Sequence, residues 1–409
     1  GKQTWQSHKV IYGHVIDKKN QEIIDEVLVL NMNGPRSFTG EDVVEIHCHG
    51  GVITVQRVLS LILENPNVRR AYPGEFSQRA VINGRLDLTQ AEAINDLISA
   101  RSQKAAQLAI QGISGEITKR ISILRERLLI LLSEIEARVD FEDELPPLDQ
   151  NQLLNDFAKV QQSLQELIKD SKQGSFIKNG IKVALIGLPN VGKSSLLNRL
   201  CKQERAIVTD LPGTTRDVLE VEIELENVPI TLFDTAGIRK SDNQIEKLGI
   251  AKSQETLKAV DIVILIFDLN RGWSPANEEL FEQIPEHTPK LIVGNKADLP
   301  KKSTPMKPYI SISALTGEGE YDLVKNLLSI SGAYNTEDLN LSLNERQLDL
   351  AIAAEAALGR IQDMVHEKLP WDFWTIDLRE AINKLGELAG EEITESLLDK
   401  IFSRFCIGK

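Results

Sequence analysis

The segment GLPNVGKS, residues 187–194, has the residue types and spacing of a phosphate-binding loop, and it stands between a strand-like run and a helical run. Its glycines allow backbone N–H groups to approach a phosphate, and Lys193 adds positive charge. The hydroxyl of Ser194 can serve as an oxygen ligand of Mg²⁺. The segment therefore predicts a nucleoside triphosphate site with a bound Mg²⁺. The residues assigned to it are Asn190, Val191, Gly192, Lys193, Ser194 and Ser195.

The segment NKAD, residues 295–298, predicts which base is bound. It ends a strand-like run, and the Asp298 carboxylate can accept hydrogen bonds from N1–H and the amino group of guanine, a donor pair that adenine lacks on that edge. The tripeptide at residues 313–315 fits a backbone contact to guanine O6, although three residues alone are weak support. GTP and GDP are the predicted nucleotides. The residues assigned to the base are Asn295, Lys296, Asp298, Ser313, Ala314 and Leu315.

The segment DTAG, residues 234–237, predicts the groups around the γ-phosphate. Its position after the run ITLFD places the Asp234 carboxylate near Mg²⁺ and the Gly237 N–H near the phosphate. Many GTPases carry a glutamine next to position the attacking water, whereas this chain carries Ile238, which can neither orient nor deprotonate water. Another group must therefore assist hydrolysis. The residues assigned to the nucleotide here are Asp234, Thr235, Ala236 and Gly237.

The loop TDLPGTTRD, residues 209–217, contains candidates for that assistance. Either Thr214 or Thr215 is expected to complete the Mg²⁺ ligands and to sense the γ-phosphate. A monovalent cation such as K⁺ could bind between the Asn190 side-chain oxygen and carbonyls of this loop, where it would add positive charge against the transition state. Glu246 is the nearest downstream acid that could polarise water, although a solvated helix carboxylate is the simpler explanation of it.

An alternation of strand-like and helical runs must position these motifs. It is typical of a mostly parallel α/β sheet covered by helices on both faces. The strand-like runs are IKVALIGL, VEIELENVPITLFDT, DIVILIFDL, KLIVGN and YISIS.

Different patterns flank the α/β region. Short β-like runs around one helical stretch predict a small α+β domain at the start, and capping boxes at Thr89–Glu92 and Ser342–Glu345 predict the starts of helical blocks. Because domain termini often lie close together, we expect the α/β domain to be inserted into one discontinuous helical domain. The predicted divisions are 1–83, α+β; 84–178, helical; 179–334, α/β; and 335–409, helical.

The totals restrict the class of protein. A length of 409 residues predicts about three domains, and no apolar run reaches the ~18 residues of a membrane span. Three separated cysteines and no signal peptide favour the cytoplasm. The net charge of −13 opposes a broad electrostatic attraction to nucleic-acid phosphates. Two clusters of basic residues could still form a local nucleic-acid site, but solvated helix faces explain them more simply. Those groups are Arg69, Arg70 and Arg79, and Lys119, Arg120, Arg125 and Arg127.

The order of the nucleotide motifs resembles the Ras-like GTPase superfamily, and most of the chain resembles the MnmE/TrmE family of tRNA-modification GTPases. The matching stretches are SFTGEDVVEIHCHGG, YPGEFSQRA, INGRLDLTQAEAINDLI, GLPNVGKSSLLN, DLPGTTRDV, DTAGIRK and FCIGK. The family's N-terminal stretch with a glycine-flanked arginine is not present here, and the chain has no initiator Met. We therefore expect the start of the first domain to be missing.

The resemblance implies an activity. Family members form homodimers through a folate-binding N-terminal domain and hydrolyse GTP with the help of K⁺. With a flavoprotein partner that carries FAD, in an expected heterotetramer, they add an aminomethyl-type group at carbon 5 of the wobble uridine of certain tRNAs. The one-carbon unit comes from a tetrahydrofolate derivative, and the choice between 5-formyl and 5,10-methylene stays open.

The resemblance also implies roles for particular residues. The K⁺ ligands are Asn190, Thr209, Leu211 and Thr214, and the Mg²⁺ ligands are Ser194 and Thr215. Glu246 organises the attacking water, and Cys406 belongs to the modification centre. The folate contacts are Glu45, Arg85 and Lys409.

Alternatives stay open for several of these residues. Glu45, His47 and His49 share one strand face and could hold a metal ion, although a half-exposed polar face explains them as well. Cys406 could be an ordinary buried thiol. For the whole chain, the alternative is a GTP-dependent assembly factor or ribosome-associated switch without modification chemistry.

Overall fold

The computed structural model describes residues 5–140, 150–203, 219–234, 260–333, 339–367, 369–391, 395–403 and 405. The chain divides into two compact units. Unit 1 comprises Gly1–Asn95, Gly112–Leu153 and Ala356–Lys409, and unit 2 comprises Asp96–Gln111 and Leu154–Glu355.

The described strands and helices are as follows. In chain order the strands are β1 (Lys9–Asp17), β2 (Glu22–Met32), β3 (Val43–His47), β4 (Ile181–Ile186), β5 (Leu219–Leu225), β6 (Val228–Asp234), β7 (Ile262–Asp268), β8 (Lys290–Asn295) and β9 (Ile310–Ser311). The helices are α1 (Val52–Leu63), α2 (Glu75–Ile82), α3 (Leu88–Ser99), α4 (Gln103–Ile113), α5 (Glu116–Asp140), α6 (Gln150–Asn179), α7 (Lys193–Gln203), α8 (Pro275–Glu282), α9 (Glu320–Ser331), α10 (Glu345–His366), α11 (Trp374–Ala389) and α12 (Glu395–Phe402). No helix in the described ranges is both long and apolar enough to cross a lipid bilayer.

Unit 1 combines a small sheet with helices. Strands β1, β2 and β3 form an antiparallel sheet in that order, which confirms the α+β pattern expected at the start of the chain. Elsewhere in this unit α5 packs against α11, and Arg379 Nη2 on α11 donates to Glu136 Oε1 on α5 at 2.5 Å. Apolar side chains of α12, including Leu398 and Phe402, are buried in a cluster with Leu88.

Both predicted capping boxes are wrong by two residues. Asp87 Oδ1 accepts from the Gln90 N–H at 2.8 Å while Gln90 Oε1 accepts from the Asp87 N–H at 2.9 Å, so Asp87 caps α3 and Thr89 lies inside the helix. Asn344 and Gln347 exchange the same pair of bonds at the start of α10. Aspartate and asparagine serve as well as serine and threonine at this position, and glutamine can replace glutamate.

Unit 2 contains a six-stranded sheet in the order β5-β6-β4-β7-β8-β9. Every neighbouring pair is parallel except β5 with β6, which confirms the mostly parallel, Ras-like α/β fold class. The sequence pattern failed at one place, since the single predicted run over residues 221–235 forms two strands joined at Glu226 and Asn227, which have φ of 50° and 65°.

The carboxyl ends of the parallel strands lie at one edge of the sheet. Strand β4 is buried over Val183–Ile186 and leads into residues 187–192, and Leu185 on β4 lies opposite Asp234 at the end of β6. On the next pair, Asp268 at the end of β7 lies opposite Asn295 at the end of β8. The sheet therefore gathers the predicted phosphate, metal and base motifs at its carboxyl edge.

A buried carboxylate organises the segment before α2 in unit 1. Glu75, 8% exposed, accepts hydrogen bonds from Arg69 Nη1 and Nη2 at 2.8 and 2.7 Å, from the Tyr72 N–H at 2.8 Å and from Arg79 Nη2 at 2.7 Å. The Arg69 bonds, helped by the Tyr72 N–H and Arg79, lower the pKa of Glu75 to about 2, against the opposing effect of burial. Arg69 and Arg79, two of the three arginines in the first basic group, are thus paired with Glu75, while their own side chains are 55% and 47% exposed.

We predict that Glu75→Gln lowers the free energy of unfolding of unit 1 by about 2 kcal/mol near pH 7. This value already includes the weakening of the ion pairs by water, because both arginines are partly exposed. Because the folded pKa lies below the ordinary value of 4.5, the stabilisation is present above pH 4.5 and is lost as the pH falls towards about 2. Urea unfolding at several pH values between 7 and 3 measures this. Glu22→Gln, which removes a half-exposed pair with Arg57, is the control with little expected change. A cost of Glu75→Gln that does not vary with pH would contradict the prediction.

Candidate nucleotide-binding site

The loop between β4 and α7 has a backbone that depends on glycine at two positions. Gly187 has a φ of 154°, and a Cβ there would lie 2.3 Å from the Ile266 carbonyl oxygen. Gly192 has a φ of 99°, and its Cβ would lie 2.2 Å from Asn295 Nδ2. Asn190 also has a positive φ, 65°, which asparagine tolerates better than most residues. The loop is therefore pressed against β7 and the end of β8.

Lys193 and the start of α7 are the parts of this loop that the sequence predicts to bind phosphate. Lys193 is 7% exposed, and its Nζ donates to the carbonyl oxygens of Gly187 at 2.8 Å and Leu188 at 3.0 Å. This holds the ammonium group against the loop, beside the N–H groups of the first turn of α7, where the helix favours an anion. Ser194 and Ser195 are exposed on the same turn.

The carboxamide of Asn295 connects this loop to the predicted base-binding segments. Asn295 is 2% exposed, and its Nδ2 donates to the Val191 carbonyl oxygen at 2.8 Å. Its Oδ1 accepts from the N–H groups of Lys296 at 2.8 Å and Ala314 at 2.9 Å. One side chain thus joins residues 187–192, 295–298 and 313–315.

Lys296 extends these connections through a carboxylate that the sequence motifs did not indicate. Its Nζ donates to Asp268 Oδ2 at 2.6 Å and to the Asn190 carbonyl oxygen at 3.1 Å. Burial would raise the pKa of Asp268, but hydrogen bonds from Lys296 and the Asn270 N–H lower it overall, so Asp268 carries the negative charge that holds Lys296. One feature could have pointed to Asp268: it is an acidic residue at the end of a wholly buried strand, next to the strand that ends at Asn295.

The base-binding segments meet at Asp298 and Ser313. Asp298 is exposed, and its Oδ1 accepts from Ser313 Oγ at 2.5 Å. Ser313 is 1% exposed and its Oγ also accepts from the Thr316 N–H at 3.1 Å. Asp298 Oδ2 accepts no hydrogen bond from the described residues. This arrangement points a carboxylate oxygen to solvent beside a fixed loop, which suits recognition of two adjacent N–H donors.

Not all predicted residues fall within the described part of the chain. Asp234 ends β6 beside β4. Those outside the described residues are Thr209, Leu211, Thr214, Thr215, Thr235, Ala236, Gly237, Ile238, Glu246, Cys406 and Lys409.

The two described folate candidates lie in unit 1. Glu45 is on β3 with Oε2 3.2 Å from His47 Nε2, Arg85 is exposed after α2, and no hydrogen bond or ion pair joins Glu45 to Arg85. In the metal alternative, His49 would join Glu45 and His47 in holding an ion. In the structure His49 Nδ1 instead lies 2.7 Å from Asp25 Oδ1. In the described ranges no group of three His, Cys, Asp or Glu residues is arranged to hold a metal ion.

Two protein-family models match the chain. One is described as MnmE helical domain and matches residues 88–406, and the other is described as GTP-binding protein TrmE N-terminus and matches residues 1–85.

Named relatives match along the whole chain. The tRNA modification GTPase MnmE of Prochlorococcus marinus (strain SARG) is 65% identical over 405 residues, covering 99% of this chain and 89% of the relative. The protein of the same name from Parasynechococcus marenigrum is 59% identical over 409 residues, covering 100% of this chain and 91% of the relative. Among solved structures, Aquifex aeolicus Era bound to GDP and AlF4⁻ is 25% identical, covers 43% of this chain and 66% of that chain, and has a TM-score of 0.30, too low to support a shared overall arrangement.

We predict that Asn295→Ala weakens GDP binding roughly 100-fold, about 2.7 kcal/mol, because three backbone groups lose their partner. Titration with a fluorescent GDP analogue measures the Kd. Asn326→Ala removes the same side chain from the exposed face of α9 and should leave the Kd unchanged. Equal affinities for Asn295→Ala and the unmodified chain would refute the role of this side chain.

Proposed function

Because the chain belongs to the MnmE family of tRNA modification GTPases, we propose that its GTP hydrolysis, at a site formed by residues 187–194, 295–298 and 313–315, drives a tRNA modification reaction. The observation that carries the proposed site is the Asn295 carboxamide, which bonds to all three segments. A nucleotide whose phosphates and base bind different segments needs these segments held at a constant separation.

The nucleotide is oriented by groups at the two ends of this site. Lys193 neutralises the β- and γ-phosphates beside the first turn of α7, and Asp298 accepts the N1–H and amino hydrogens of guanine. Ser194, Thr215 and Asp234 form the Mg²⁺ site. Its support is the exposed Ser194 on α7 and the position of Asp234 next to β4, since oxygen donors are what Mg²⁺ prefers.

In the absence of a glutamine, Asn190, Thr209, Leu211 and Thr214 would hold K⁺, and Glu246 would organise the attacking water. Among these residues Asn190 alone lies in the described part, and it fits an ion ligand: its carbonyl is held by Lys296, while its exposed side chain has no hydrogen-bond partner among the described residues. A bound K⁺ would supply positive charge beside the phosphates.

The modification chemistry belongs to unit 1. Glu45, Arg85 and Lys409 bind a tetrahydrofolate derivative, and Cys406 acts in the modification centre at carbon 5 of the wobble uridine. The chain forms a homodimer through its N-terminal domain and works with a flavoprotein partner that carries FAD. The proposed location is the cytoplasm. We also propose the domain divisions at residues 83, 178 and 334. A relative named tRNA modification GTPase MnmE, which matches 99% of this chain, supports the modification activity, and the exposure of Glu45 and Arg85 leaves both side chains accessible to a ligand.

We predict that Cys406→Ser abolishes tRNA modification while the GTP hydrolysis rate stays within about twofold of the unmodified chain, since a hydroxyl is far less nucleophilic than a thiolate. Mass spectrometry of wobble nucleosides, after incubation with the purified flavoprotein partner, measures the modification. Cys201→Ala removes a partly buried thiol from α7 in unit 2 and should retain both activities. Full modification by Cys406→Ser would remove the thiol from the mechanism and favour the assembly-switch alternative.

A further inference from the structure

Arg199, on α7, links the phosphate-binding helix to the loop that follows β9. Its Nε donates to Glu320 Oε2 at 2.8 Å, and its Nη1 donates to the Leu315 carbonyl oxygen at 3.1 Å. The two side chains of the ion pair are 24% and 13% exposed, so the guanidinium is held with little competition from water. Motif reasoning gave Arg199 no role.

The same loop is shaped to fit this guanidinium. Gly317 has a φ of 94°, and a Cβ at this position would lie 1.9 Å from Arg199 Nη2. The Gly317 N–H donates to the Ser313 carbonyl oxygen at 2.8 Å, which folds the loop back on itself. The backbone of residues 313–317 therefore packs directly on a planar group, a contact that a lysine ammonium could not reproduce.

The Arg199 contact holds the part of the loop whose side chain is exposed. On the nucleotide side, the loop is bonded through Ala314 to Asn295 and through Ser313 to Asp298. Leu315, the next residue, has an 80% exposed side chain, so packing does not hold it in place. The peptide between Leu315 and Thr316 is oriented by two hydrogen bonds, from Arg199 Nη1 to the Leu315 carbonyl and from the Thr316 N–H to Ser313 Oγ.

We propose that Arg199 is a positioning residue for guanine recognition. By holding Leu315 against α7, it aims the Leu315 N–H at guanine O6; the N–H groups of Ser313 and Ala314 already donate to the Glu318 carbonyl and to Asn295 Oδ1. It acts through the loop and does not itself touch the nucleotide. This inference rests on the proposed function, in which that loop contacts the base. It also couples base recognition to the helix that begins at Lys193.

The test compares GDP with 6-thio-GDP, in which the weak acceptor sulfur replaces O6 while N1–H and the amino group remain for Asp298. We expect Arg199→Gln to raise the Kd for GDP roughly tenfold, about 1.4 kcal/mol, and the Kd for 6-thio-GDP much less, so the preference for GDP narrows. Arg101→Gln is the matched control, because Arg101 pairs with Glu222 elsewhere in unit 2, and both Kd values should stay unchanged.

An equal rise in the Kd values of GDP and 6-thio-GDP for Arg199→Gln would overturn the proposal. A general destabilisation of unit 2 would weaken the binding of both nucleotides alike, whatever atom stands at position 6. Unchanged binding of both would overturn it as well. If instead the unmodified chain bound neither nucleotide, the proposed site itself would fail. A second variant, Gly317→Ala, should also narrow the preference, and less so in an Arg199→Ala background where the clash with the guanidinium is gone. Equal effects of Gly317→Ala in both backgrounds would show that the loop does not depend on Arg199.

Discussion

Asn295 has both a donor and an acceptor on one short, buried side chain, and the proposed nucleotide site depends on both of them. The amide nitrogen bonds to Val191 in the phosphate loop, and the amide oxygen bonds to the N–H groups of Lys296 and Ala314. An aspartate would lack the donor, and an apolar residue would leave three backbone groups without partners in a nearly water-free position, where each costs about 1–3 kcal/mol. A single side chain therefore fixes the distance between the phosphate and base segments.

The conformations of neighbouring residues follow from this constraint. Asn190 and Lys296 both have φ of 65°, a left-handed backbone that costs most residues about 1–2 kcal/mol. The cost is offset because the two residues bond to each other, Lys296 Nζ to the Asn190 carbonyl, while Asp268 holds the same ammonium group. The low pKa of Asp268 keeps its charge present across the physiological range. The backbone of Asn190, where we propose that K⁺ binds, is thus set by the base-binding segment.

The sequence predicted those parts of the proposed site that lie within short segments. Residues 187–194 and 295–298 were recognisable because glycine, lysine and aspartate stand at spacings that phosphate and guanine require, and the buried runs before them predicted the strands. Asp268 and Arg199 were missed, since their partners, Lys296 and Leu315, are distant in sequence and belong to no common pattern. The predicted starts of α3 and α10 are wrong because two overlapping pairs of residues satisfy the same local rule at each place, and Asp87 and Asn344 are the residues that cap the helices.

The central claim is that a cation beside Asn190 replaces the catalytic glutamine whose place Ile238 occupies. The most direct measurement is the GTP hydrolysis rate in K⁺ and in Na⁺ at equal ionic strength, for the unmodified chain, Asn190→Ala and the control Asn326→Ala. We predict a rate at least several-fold higher in K⁺ for the unmodified chain and the control, and no stimulation for Asn190→Ala. Equal rates in both salts would contradict the account and assign the missing catalytic group to a partner molecule.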